Sequence, residues 1–171
     1  MKKLRGTMVV MVTPFTKNDQ VDEKGLRENI DWYISEGIHG LICTGSTSEF
    51  ANLSVEEHKK VIDISVEQAK DRVPVMAGTA CNSTKATIEM TKYAYNAGAD
   101  AALIVSPFYG LPNQEELYTH FKAVADNVPI QVMLYNNPWY SGADMLPSTV
   151  ARLAEIGYAG PFIIEREISG D

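Results

Sequence analysis

The sequence predicts an α/β protein of strand–helix repeats, a TIM-like (β/α)8-type barrel present as an incomplete barrel of about six βα units. Three observations predict it. Short apolar runs alternate with longer amphipathic stretches. The runs begin about every thirty residues, the length of one strand–helix unit. They are rich in Val, Ile and Leu on both faces, as parallel strands covered by helices are.

The runs are Met8–Thr13, Gly40–Thr44, Val73–Ala77, Ala101–Val105, Ile130–Tyr135 and, more weakly, Phe162–Glu165. Between them Leu26, Ile30, Tyr33 and Ile34 make one helical stripe, and Val55, Ile62, Val66 and Ala69 the next. Leu117, Phe121 and Val124 repeat the pattern, as do Leu146, Val150 and Leu153. Ser54 with Glu57 reads as a capping box, and Gly37 and Gly98 stand where left-handed C-terminal caps belong. A doubly wound nucleotide fold would place G-x-G-x-x-G after the first strand, but Thr13-Pro14-Phe15 follows it here. No linker interrupts the pattern, so residues 1–171 are expected to form a single barrel domain. A complete barrel takes about 250 residues, which leaves this one short of its last two strands.

Composition narrows the function classes. With 45% hydrophobic and 22% charged residues the chain is of ordinary globular make-up. No apolar run is long enough to span a bilayer, and the basic start Met1-Lys2-Lys3 breaks too early for a signal peptide, so a cytoplasmic location is expected. A net charge of −7 without a basic stripe argues against nucleic acid as a partner. Cys43 and Cys81 lack metal-ligand spacing and read as buried thiols. His39, His58 and His120 stand apart and read as structural.

The chemistry is expected at the carboxyl ends of the strands. After the second comes Gly45-Ser46-Thr47-Ser48-Glu49, whose backbone N–H groups and hydroxyls suit a carboxylate. The same segment also reads as a tight turn with a helix cap, Glu49 serving the helix start. The fourth strand ends in Ser106-Pro107-Phe108-Tyr109 and the fifth in Tyr135-Asn136-Asn137-Pro138. A tyrosine so placed can relay a proton when a neighbouring group holds its hydroxyl. Trp139 and Tyr140 follow in a loop on the same face.

Together these motifs resemble the dihydrodipicolinate synthase and N-acetylneuraminate lyase family of class I, pyruvate-dependent aldolases. Gly45-Ser46-Thr47-Ser48-Glu49 looks like its G-[ST]-[ST]-G-E loop, and Tyr135-Asn136-Asn137-Pro138 like its Y-N-x-P turn. Gly78-Thr79 and Ser106-Pro107-Phe108-Tyr109 also fit. The tail Glu167-Ile168-Ser169-Gly170-Asp171 resembles its K-E-[ST]-S-G-[DN] segment. The resemblance implies a lyase in which a sixth-strand lysine forms a Schiff base with pyruvate or another 2-oxo acid, with no cofactor or metal. It implies that Tyr135 shuttles protons and that Ser46 or Thr47 and Tyr109 complete the relay, Tyr109 reaching across the interface of a homo-oligomer, a dimer or tetramer. It implies that Ser46 and Thr47 hold the substrate carboxylate.

Three positions depart from the pattern. Aligning the tail puts Arg166 where the lysine belongs, and no lysine follows Lys122. Arginine stays protonated and cannot act as the amine nucleophile. The chain is therefore expected to be inactive in Schiff-base chemistry. The alternative is a catalytically silent homologue that binds a small carboxylate or a partner subunit. Tyr140, expected to bind substrate, stands where dihydrodipicolinate synthases carry an arginine for the second substrate's carboxylate, which weakens the synthase reading and leaves the sugar-acid lyases and related aldolases open. Ser48 replaces the loop glycine and would be strained if that position needs positive φ.

Overall fold

The computed structural model describes residues 2–155 and the backbone of 162–164. It contains β1 (Met8–Val10), β2 (Gly40–Cys43), β3 (Val75–Gly78), β4 (Ala101–Val105), β5 (Gln131–Asn136) and β6 (Phe162–Ile164). Strand neighbours follow chain order, β1-β2-β3-β4-β5-β6. β2 is parallel to both β1 and β3, and β5 is parallel to β6 with Tyr135 level with Ile163. Each strand overlaps its predicted run. The first stops short at Val10, although the Met11 N–H still donates to the Ile42 carbonyl at 2.9 Å.

The helices are α1 (Glu23–Ser35), α2 (Val55–Ala69), α3 (Thr84–Ala97), α4 (Gln114–Asn127), α5 (Pro138–Ser141) and α6 (Pro147–Glu155). The chain groups into two compact units, residues 2–78 with 93–102 and residues 79–92 with the described residues from 103 onward.

In the first unit every residue of β2 and β3 is buried, as expected for strands apolar on both faces. β1 differs: Val10, and Val12 just beyond the strand, are exposed, and β1 ends the sheet order with a strand neighbour on one side only among the described residues. α1 begins on Asp22, whose carboxylate accepts from the Gly25 N–H at 3.0 Å, and buries Leu26 and Ile30. α2 begins on the predicted capping box, Ser54 and Glu57 each accepting from the other's backbone. Its buried residues are His58, Val61, Ile62, Ile64, Ser65 and Ala69, whereas Val55, predicted to belong to the apolar stripe, is exposed at the first helical position. Gly37 and Gly98 take φ of +83° and +102°, as the caps require. Asp100 joins the N-terminal segment to β3, accepting from the backbone N–H of Lys2 at 2.7 Å and of Val75 at 3.1 Å.

In the second unit β4 supplies Leu103–Val105, and α4 starts on an Asn113–Glu116 capping box and buries Leu117, Phe121 and Val124 as predicted. Leu146 is exposed and precedes α6; Met145 is buried in its place. Thr79 is fully buried, its N–H donating to the Leu103 carbonyl at 3.0 Å and its hydroxyl meeting that of Thr91 at 2.8 Å.

Candidate active site

In the first unit, the chain leaving β2 turns through Thr44 at φ 52° and reaches Glu49 at φ 57°, two left-handed positions that a side-chain-bearing residue rarely takes. Between them Ser48 donates its N–H to the Gly45 carbonyl at 3.1 Å, and Glu49 donates to the Ser46 carbonyl at 2.9 Å. Ser48 is not among the positive-φ residues, so replacing the usual glycine costs it no such strain. Its side chain has a use instead. The Ser48 hydroxyl donates to the Met11 carbonyl, and the Thr13 hydroxyl donates to the Ser48 carbonyl at 2.9 Å. The strain sits on the flanking Thr44 and Glu49.

A second set of bonds pins the root of this loop. The Thr44 hydroxyl donates to the Gly78 carbonyl at 2.8 Å, and the His58 Nε2–H meets the same carbonyl at 2.8 Å. A Cβ on Gly78 would lie 2.0 Å from the Thr44 carbonyl oxygen, so only glycine fits. Burial holds the His58 pKa below its ordinary value, partly offset by the bond to Gly78. His58 is thus a structural histidine. His39 ties down the N-terminal segment, its Nδ1 accepting from the Thr7 N–H at 3.2 Å.

The result is a loop whose main chain is fixed while Ser46 and Thr47 are exposed, neither hydroxyl paired with a described residue. Nearby Cys43 is buried, and burial pushes its thiol up to about 11, which makes it inert at neutral pH.

In the second unit, β5 runs directly into a short capped turn. Tyr135 is half-buried, and its hydroxyl oxygen accepts from the Asn137 side-chain amide at 2.8 Å. Asn137 also caps α5, its Oδ1 accepting from the Tyr140 N–H at 3.3 Å. Asn136 is buried and secures the return of the chain, donating to Asp144 at 2.9 Å and accepting from the Met145 N–H at 2.9 Å. Trp139 and Tyr140 lie within α5, not in a loop, and both are exposed.

The segment after β4 adjoins this turn: a Cβ on Gly142 would meet Leu111 Cδ2 at 2.5 Å. Tyr109 and Leu111 both take positive φ, 71° and 48°, and Tyr109 is 93% exposed. Two strained residues within one exposed loop mark it as a segment shaped by something other than local preference. Thus Tyr135, Asn137, Tyr140 and the Tyr109 loop come together in one unit, and Ser46 and Thr47 lie in the other. Arg166 falls outside the described residues. Among the described residues no group of His, Cys, Asp and Glu is arranged to hold a metal.

A model of the dihydrodipicolinate synthetase family matches residues 3–159. The chain belongs to that family. The 4-hydroxy-tetrahydrodipicolinate synthase of Geotalea uraniireducens is 52% identical over 151 residues, covering 88% of this chain and 52% of the relative. That of Syntrophus aciditrophicus is 49% identical over 152 residues. The chain spans about half the length of the curated relatives it matches. Among solved structures it is similar to the dihydrodipicolinate synthase of Acinetobacter baumannii complexed with pyruvate, with a TM-score of 0.88 and 42% identity over 96% of this chain and 56% of that one. A prophage protein of the same family from E. coli K12, also in complex with pyruvate, gives 0.89 at 35% identity over 96% and 55%. The fold is accordingly the (β/α)8-type barrel the sequence predicts, present in part.

The sequence motifs name the candidate groups without giving a role to the residues that hold them. Thr13 and Gly78 fix the β2 loop, and Asn136 and Asn137 fix the β5 turn. Gly78 and the asparagines stand within the motifs, and an Asn-Asn-Pro run at a strand end favours side-chain-closed turns and helix caps, whereas Thr13 carries no such signal.

Proposed function

We propose that the chain binds pyruvate or a related 2-oxo acid, in keeping with a family of Schiff-base aldolases that condense or cleave such acids. The observation that carries this reading is the β2 loop, with a pinned main chain and two exposed hydroxyls at Ser46 and Thr47 that are unengaged among the described residues. Such a loop can bind a carboxylate without first breaking bonds of its own, which keeps the cost of binding low. Tyr135 is the proton relay, Tyr109 completes it from a second copy in a homo-oligomer, and Tyr140 lines the substrate. The reading requires no metal or cofactor.

Arg166 takes the lysine position in this proposal. A guanidinium cannot lose the proton that a Schiff-base nucleophile must lose, so this 171-residue polypeptide binds the acid without forming the covalent intermediate. That makes it a silent carboxylate binder rather than a working lyase. No helix among the described residues is long and apolar enough to cross a membrane, and a cytoplasmic setting is part of the same proposal.

Pyruvate binding followed by saturation-transfer NMR tests it. The chain should give a signal that competing 2-oxo acids displace, and Ser46→Ala with Thr47→Val should weaken binding about tenfold or more, the loss of one to two charge-assisted bonds. Equal binding by that double variant would refute the assignment of the loop.

A further inference from the structure

We propose that Asn137 is a positioning residue for Tyr135, turning its O–H away from the α5 turn and easing its ionisation. The inference rests on the reading of Tyr135 as the proton relay, but its physical content does not depend on it.

The orientation of one amide sets the geometry. Asn137 is 1% exposed, and of its two side-chain hydrogen-bond neighbours one has a fixed role. The Tyr140 backbone N–H can only donate, so the atom facing it must be Oδ1. The other end of the amide is then the NH2 group, and it is this group that lies 2.8 Å from the Tyr135 hydroxyl oxygen. The phenol is therefore an acceptor towards Asn137, and its own hydrogen must point elsewhere.

Two consequences follow. The O–H is restricted to directions away from α5, so the proton to be moved is aimed before any substrate arrives. A donor on the oxygen also favours the phenolate over the phenol, because a bond to a charged acceptor is stronger than one to a neutral acceptor. The Y-N-x-P motif leaves the Asn137 position open. The asparagine is thus a feature of this chain that the motif does not demand. Because one side chain both caps α5 and holds the phenol, the turn and the relay are set by a single buried group.

Tyrosine labelled with 13C at Cζ, in the intact 171-residue chain, gives a direct readout through pH titration by NMR. Asn137→Ser keeps a capping oxygen for the α5 backbone but is too short to reach the phenol. In that variant the Tyr135 resonance, assigned through Tyr135→Phe, should ionise about half to one pH unit higher, with Tyr33 unmoved. Asn137→Asp, which also caps but offers no N–H and adds a negative charge, should move it further. A Tyr135 titration unchanged in Asn137→Ser, or a shift in Asn137→Asp alone, would overturn the proposal. So would an equal shift of Tyr33, which would mean general loosening. Failure of pyruvate binding would instead count against the function proposed above and leave this titration intact.

Discussion

The loop after β2 and the turn after β5 both leave the carboxyl end of a parallel strand, yet they use their hydrogen bonds in opposite ways. In the β2 loop the fixed groups are backbone carbonyls and the buried side chains of Thr13, Thr44 and Ser48, while Ser46 and Thr47 stay exposed. In the β5 turn the candidate reactive group is itself engaged, the Tyr135 hydroxyl accepting from Asn137. The difference fits the two roles proposed for these segments. An anion site needs unoccupied donors on a rigid frame, and a proton relay needs a hydroxyl whose partners determine where its hydrogen points.

The contrast breaks most sharply at Gly78. Both Thr44 and His58 reach its carbonyl, and an added Cβ would strike the Thr44 backbone at 2.0 Å. Gly78→Ala should cost at least ~3 kcal/mol of unfolding free energy in denaturant titration. Gly37→Ala offers the comparison: a Cβ there meets nothing within 4 Å, so only the positive φ is penalised, at about 1 kcal/mol. Similar losses in the two variants would show that the β2 loop is not pinned as described.

A smaller effect separates the two buried histidines. His58 satisfies its Nε2 on a carbonyl, whereas His120 pairs Nδ1 with the Thr84 hydroxyl at 2.9 Å and leaves Nε2 buried without a partner among the described residues. Burial pushes the His120 pKa down to about 4, from an ordinary 6.5. The unfolded chain then binds more protons between those values, so the contribution of neutral His120 is complete above pH 6.5 and is lost as pH falls towards 4. Thermal unfolding followed from pH 7 to 4.5 should show a falling Tm, and His120→Gln should flatten that slope. A slope unaffected by the substitution would place the acid sensitivity elsewhere.

Much of this was legible in the residues. Strand positions followed from apolar runs because β2, β3 and β4 are buried on both faces, and the Ser54–Glu57 and Gly37 caps followed from local chemistry alone. Val55 and Leu146 misled because the hydrophobic period does not say where a helix begins; both sit at helix starts, turned to solvent. The candidate site residues could be named from the motifs. Their supports could not, because Gly78 is needed for a close approach to Thr44 that depends on the pairing of β2 with β3. Nothing in the local sequence encodes that distance.

The central proposal is that this polypeptide keeps a carboxylate-binding loop and a relay tyrosine without the amine that would make them a covalent catalyst. Incubating the chain with pyruvate and borohydride and then measuring its intact mass tests this most directly, since reduction traps any Schiff base. The account predicts an unchanged mass, even under conditions where pyruvate binding is detectable by NMR. A mass gain of one reduced pyruvate, mapped to any lysine of the chain, would contradict it.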